Sequence, residues 1–178
     1  MSGYQIARRA VPRELIDDAL RRLHLDIMQR GIAAEELSAW LWAMHWFPHL
    51  RFDDAITALA KALPARWQEG TRCEPQILLQ FPHVGEEEPE VTFHTDQEPD
   101  WAEGRRYLRI VGVALTPWTA ENGGLRVNTD QGIEQLELEP GDAVMMTPDL
   151  EHSGGVNKTG AIRYAIYFRY LEDDPVPF

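Results

Sequence analysis

Residues 107–147, YLRIVGVALTPWTAENGGLRVNTDQGIEQLELEPGDAVMMT, decide the fold. Runs of strand composition, Tyr107 to Pro117, Gly124 to Asn128, Ile133 to Glu137 and Asp142 to Thr147, alternate with turn chemistry. Glu121-Asn122-Gly123-Gly124, Asp130-Gln131-Gly132 and Pro140-Gly141-Asp142 supply the residues that tight turns favour. The intervals leave little room for a helix. Working outward, strands are predicted at Gln76 to Phe81 and Glu90 to His94 before this stretch, and at Glu151 to Gly154 and Ala161 to Leu171 after it. Gly154-Gly155 supplies a further turn. Eight short antiparallel strands in one chain predict a mainly β fold with N-terminal helices. The expected architecture is a double-sheet jelly roll, a cupin-like double-stranded β-helix barrel whose interior holds a metal or ligand.

The first 70 residues follow a different period. From Leu15 to Met28 the apolar positions Leu15, Ile16, Ala19, Leu20, Leu23 and Ile27 recur at helical spacing, and Gly31 stops the run. A second helix is expected over Ala34 to Phe47, ending at Pro48, and a third from Asp53 to Leu63 before Pro64. Trp40, Trp42, Trp46 and Phe47 in the second segment suit core packing against a sheet, a substrate wall or a dimer face, with packing favoured because aromatics at helical spacing bury large areas. His45 and His49 stand four apart, but Pro48 breaks the helix that would align them on a metal. His24 and His83 are read as structural.

The chain has 178 residues, which predicts one domain, with 1–70 as a helical buttress and 75–171 as the jelly-roll core. Hydrophobic residues at 44% and charged residues at 26% argue for a folded rather than disordered chain. A net charge of -12 opposes nucleic acid, whose binding is dominated by Lys and Arg contacts to phosphate. No apolar run has membrane-spanning length, and Met1 to Pro12 lacks a signal-type apolar core, so a cytoplasmic location with no membrane partner is expected. The single cysteine, Cys73, excludes an internal disulfide framework and a thiolate metal cluster. The acidic run Glu86-Glu87-Glu88 reads as a solvated turn bordering the site. No oligomeric state follows from the pattern.

His94-Thr95-Asp96, His152 and Arg163 carry the chemistry. Two imidazoles and one carboxylate are what a 2-His-1-carboxylate facial triad requires, an iron(II) site that leaves coordination positions open. On a strand, alternate residues share a face, so His94 and Asp96 look into the barrel together while Thr95 turns away. His152 then arrives from a distant strand. His-x-Asp alone is a weak signal that many loops match, and His152 and Arg163 in strand contexts give it specificity. Arg163 adds a planar bidentate donor for an anion.

Taken in order, His94-Thr95-Asp96, Leu115-Thr116-Pro117 with Glu121-Asn122-Gly123-Gly124-Leu125, Pro140-Gly141-Asp142-Ala143, and His152 with Asn157 and Arg163 resemble the 2-oxoglutarate-dependent, phytanoyl-CoA dioxygenase-like iron oxygenases. The resemblance covers roughly residues 75–171. It implies Fe(II) on His94, Asp96 and His152, 2-oxoglutarate as co-substrate with its distal carboxylate on Arg163, and O2 as oxidant. The implied activity is a dioxygenase that hydroxylates or otherwise oxidises a C–H bond of a small organic molecule, releasing succinate and CO2. The same chemistry on a protein or carrier-bound group, and a non-catalytic cupin-like metal or anion binder, are the alternatives. Asp96 argues against the halogenating branch, where that ligand is lost. Two departures stand out: Ser153 follows His152 directly, where members often place a small residue first, and members tend to be longer.

Three further residues each carry two readings. Gln80 is a contact to 2-oxoglutarate or substrate, or a satisfied core glutamine. Arg169, six residues beyond Arg163, meets an anionic substrate or pairs with an acidic residue at the strand end. Trp101 shapes the substrate wall or packs a loop.

Overall fold

The computed structural model describes residues 3–30, 41–42, 53–70, 72–85, 92–96 and 105–173. Among these, nine strands form two sheets. The larger holds β1 (Tyr4–Ala7), β7 (Ala143–Met146), β4 (Arg105–Ala114), β9 (Arg163–Asp173), β3 (Arg72–Gln80) and β2 (Leu41–Trp42), in that spatial order, and the smaller runs β6 (Gly132–Gln135), β5 (Arg126–Thr129), β8 (His152–Ser153). The pairings are antiparallel. Two α-helices, α1 (Arg13–Arg30) and α2 (Asp53–Ala62), complete the fold with a short 3-10 turn at Ala65–Trp67. This is a mostly β, jelly-roll-like arrangement, as the turn-punctuated runs predict. No described helix is long and apolar enough to cross a membrane.

Strands β3, β4, β7 and β9 of the large sheet send alternate residues to two different cores. Ile77 and Leu79 of β3, Val111 and Val113 of β4, and Tyr164, Ile166, Phe168 and Tyr170 of β9 pack against Ile16, Ala19 and Leu23 of α1 and Ala55 and Leu59 of α2. The helical apolar spacing thus exists to cover this face. Leu78, Ile110, Ala114, Val144, Met146 and Ala165 point the other way and meet Val127 of β5 and the preceding Leu125 in a second core between the sheets. Tyr4 of β1 ties across to the small sheet, its hydroxyl donating to Glu134 Oε2 at 2.7 Å, and that bond to a carboxylate pushes its pKa up to about 12.

The N-terminal third departs from the all-helical expectation. Tyr4–Ala7 is an edge strand paired with β7, and Leu41–Trp42, inside the expected second helix, pairs with Leu79 and Leu78 of β3. The physical reason is the open hydrogen-bonding edge of each neighbour, which a short extended segment satisfies and a helix cannot. Trp40, Trp46, Phe47, His45 and His49 lie outside the described residues, as do Glu86, Glu87 and Glu88. The strand expected over Glu90 to His94 is described only from residue 92, where His94 forms an isolated bridge to His152.

Asp142 fastens the N-terminal arm to the sheet. Its buried carboxylate accepts from Arg8 Nη1 at 2.7 Å and from the Arg9 and Glu139 N–H groups at 2.8 and 3.0 Å. Burial alone would raise its pKa, but the Arg9 N–H, the Arg8 guanidinium and the Glu139 N–H together outweigh burial and hold it below the usual carboxylate value.

Candidate metal centre and anion site

His94 and His152 are brought together by backbone pairing. Each donates its N–H to the other's carbonyl at 2.9 Å, leaving the imidazole rings 4.6 Å apart. Asp96 is fixed next to them by its N–H to Pro148 O at 3.0 Å. His152 sits opposite Val127 in the β5–β8 register, and Val127 belongs to the core between the sheets, so the imidazole is directed inward. The ligand atoms of His94, Asp96 and His152 all lie within 4.8 Å of one another.

The second ring nitrogens are also accounted for. His152 Nδ1 lies 3.0 Å from Leu150 O and His94 Nδ1 3.3 Å from Thr92 O. A carbonyl only accepts, so Nδ1 carries the proton in each case and Nε2 presents its lone pair. His152 Nε2 faces Asp96 Oδ2 at 3.7 Å. Burial pushes the His152 pKa below its ordinary value, helped by His94 and Arg169 and opposed by the Leu150 carbonyl and Asp96. The ring is therefore neutral near pH 7, the state a metal ligand requires.

Arg163 opens β9 on the same inward face and is 2% exposed. Its Nε donates to Gln80 Oε1 at 2.8 Å, its guanidinium carbon lies 5.4 Å from the Trp118 ring centroid, and the Tyr167 hydroxyl stands beside it. Burial lowers its pKa and Tyr167 works against that. Nη1 is buried with no hydrogen-bond partner, and no carboxylate pairs with this guanidinium among the described residues. A buried cation left in that state is costly unless an anion meets it.

Arg169 shares this face, three two-residue repeats beyond Arg163, with Nη1 3.5 Å from the Tyr107 hydroxyl and its guanidinium carbon 5.4 Å from that ring. Its charge is close enough to act on His152. Gln80, fully buried, faces Arg163 across the β3–β9 register. Trp101 lies outside the described residues. His24 stacks edge-on against Tyr164 at 5.1 Å and His83 donates its N–H to Asn157 O at 2.7 Å, both away from the triad.

Two residues not singled out by the sequence pattern complete the surroundings of Arg163. Tyr167 and Trp118 stack at 5.8 Å, and Gly112, opposite Tyr167 in the β4–β9 register, makes room for them: a Cβ there would lie 2.8 Å from Tyr167 Cε1 and 3.0 Å from Trp118 Cη2. The period of two that groups Arg163 with Arg169 also groups Tyr167, so that signal was present. Trp118 follows the end of β4 and has no such cue.

No family model and no curated protein matches the chain. Solved structures do. The non-heme alpha ketoglutarate dependent carbocyclase SnoK from nogalamycin biosynthesis is 16% identical with a TM-score of 0.68, covering 96% of this chain and 80% of that one. The epimerase SnoN, in complex with Fe3+, alpha ketoglutarate and nogalamycin RO, is 15% identical with a TM-score of 0.65, covering 96% and 79%. A Pseudomonas putida prolyl-4-hydroxylase is 15% identical with a TM-score of 0.63, covering 97% and 94%. At such identities the likeness establishes a shared fold.

Proposed function

We propose that this protein is an Fe(II)- and 2-oxoglutarate-dependent oxygenase of the phytanoyl-CoA dioxygenase-like kind, oxidising a C–H bond of a small organic molecule. The observation that carries this reading is the pairing of two features on one interior: a His94, Asp96 and His152 donor set within 4.8 Å, and a buried Arg163 whose Nη1 has no hydrogen-bond partner among the described residues. The two sheets are read as closing into a barrel around both. Proteins of the same fold with carbocyclase, epimerase and prolyl-hydroxylase names support the chemistry as a class and leave the reaction on the substrate open.

The donor set suits iron(II): two imidazole nitrogens and one carboxylate on one side leave the other side for small ligands. His94, Asp96 and His152 would hold the ion, and Arg163 would take the distal carboxylate of 2-oxoglutarate. Bound together, iron(II), 2-oxoglutarate and O2 supply oxidation of a C–H bond with release of succinate and CO2. The chain's own residues prepare that event. The Leu150 and Thr92 carbonyls hold both rings with Nε2 free. Burial keeps His152 unprotonated. Trp118 and Tyr167 exclude water from Arg163, which strengthens its attraction for a carboxylate. Arg169 and Trp101 are assigned to the substrate side.

Anaerobic titration of the Fe(II)-loaded protein with 2-oxoglutarate tests the reading through the visible charge-transfer band that bidentate chelation produces. A saturable band is expected, and Arg163→Met should raise the half-saturating 2-oxoglutarate by more than about tenfold, the size of one charge-assisted hydrogen bond. A protein that binds iron and develops no band would overturn it.

A further inference from the structure

Gln80 is tied into the protein on every side. Its Oε1 accepts from Arg163 Nε at 2.8 Å, its Nε2 donates to Gly155 O, and its backbone carbonyl accepts from Asn157 Nδ2 at 3.0 Å. Asn157 Nδ2 also donates to Ala161 O at 2.8 Å, two residues before Arg163. Gly123, at φ 76°, is part of the same clamp: a Cβ there would collide with the Gln80 amide and with Gly155 O. Gly123, Gly155 and Arg163 therefore converge on one side-chain amide, while Asn157 holds the backbone carbonyl of the same residue.

This network fixes which way the amide points. Turning it over would set its NH2 against the Arg163 Nε–H and its oxygen against Gly155 O, two repulsive contacts in place of two hydrogen bonds. That bond holds Arg163 at Nε, and Nη1 has no hydrogen-bond partner among the described residues. Both polar atoms of the Gln80 amide are thus engaged by the protein, its oxygen by Arg163 and its nitrogen by Gly155.

We infer that Gln80 is the positioning residue for the co-substrate arginine: it holds Arg163 with a neutral acceptor, so that the guanidinium is oriented and yet keeps its full charge for an incoming carboxylate. Neutrality is the essential property. A carboxylate in the same place would satisfy Arg163 internally and compete with the ligand. The inference rests on the 2-oxoglutarate reading above and adds a determinant of affinity for the distal carboxylate.

The test compares wild type, Gln80→Glu and Gln80→Met, each loaded with Fe(II), using two probes. One is 2-oxoglutarate, and the other is 2-oxobutanoate, which can chelate the metal but has no distal carboxylate. Band-monitored titration gives the dissociation constants, with thermal unfolding of the ligand-free proteins alongside. Gln80→Glu should weaken 2-oxoglutarate by more than about tenfold and leave 2-oxobutanoate and Fe(II) binding unchanged. Gln80→Met, which releases the arginine without neutralising it, should weaken 2-oxoglutarate by less. Combining Gln80→Glu with Arg163→Met should cost no more than Arg163→Met alone, because the effect travels through that side chain. Equal losses for both probes, or lowered melting temperatures with an unchanged 2-oxoglutarate constant, would make Gln80 a structural residue and overturn the inference. If Gln80→Glu fails to fold, Gln80→Met still decides it through the same split between probes. Absence of any 2-oxoglutarate response in the wild type sinks the function reading itself, whereas a normal wild-type response with wild-type variants sinks only the role of Gln80.

Discussion

Strand β9 has two faces of opposite character. Toward the helices it sends Tyr164, Ile166, Phe168 and Tyr170, all buried in one apolar cluster, and toward the small sheet it sends Arg163, Ala165, Tyr167 and Arg169. Packing alone completes the first face. The second carries two guanidinium groups, and Arg163 Nη1 is buried with no hydrogen-bond partner among the described residues. On the proposed reading, stability and ligand binding are separated by a single residue of the strand repeat, and substitutions on the two faces should act on different measurements.

The sharpest way to break that separation lies at the triad. His94→Ala or Asp96→Ala should lower Fe(II) affinity by more than about 100-fold, exceeding what loss of a supporting residue causes. Both side chains retain solvent access, so urea unfolding of the metal-free protein should shift by less than about 0.5 kcal/mol. Wild-type iron affinity in either variant would remove that residue from the centre. On the opposite face, Phe168→Ala should cost about 3–5 kcal/mol in urea unfolding, since the ring is 1% exposed and its removal leaves a cavity beneath the helices. Its 2-oxoglutarate constant, measured on folded protein, should stay at the wild-type value. A fall in both would mean that the faces are coupled.

The smallest effect concerns Asp142, which belongs to neither ligand site. Its carboxyl is held below its ordinary value of 3.8, so the stability it contributes is present above that pH and is lost as the pH falls through the lower folded value. Asp142→Asn should therefore be less stable than wild type at neutral pH, and the gap should narrow below about pH 4. A gap that is constant with pH would show that the carboxylate charge is not what secures the N-terminal arm.

The legible parts of this protein are those with local signals. Turn residues and period-two runs located β4 to β7 and β9 to within a few residues, and helical spacing located α1 and α2. The strands β1 and β2 were not legible, because four or two extended residues carry no period and their partners lie far along the chain. At the site, His94, Asp96, His152 and Arg163 were singled out by residue type and order along the chain, and the structure brings the ligand atoms of the first three within 4.8 Å of one another. Gln80 gave an ambiguous signal. A glutamine in a strand is ordinary, and only the register Gln80 to Arg163 shows what its amide faces. Trp118 gave none.

The sequence by itself determined the alternation: once β9 is a strand, Arg163, Tyr167 and Arg169 must share a face and Ile166 and Phe168 must take the other, because the side-chain repeat is a property of the extended backbone. It also determined the donor chemistry of the triad. Only the tertiary structure decided that the odd-numbered face of β9 turns toward His152, that Gln80 lies opposite Arg163, and that Gly112 leaves space for Tyr167 and Trp118 to stack. Those facts depend on register between strands distant in the chain, which long-range burial fixes and local composition does not.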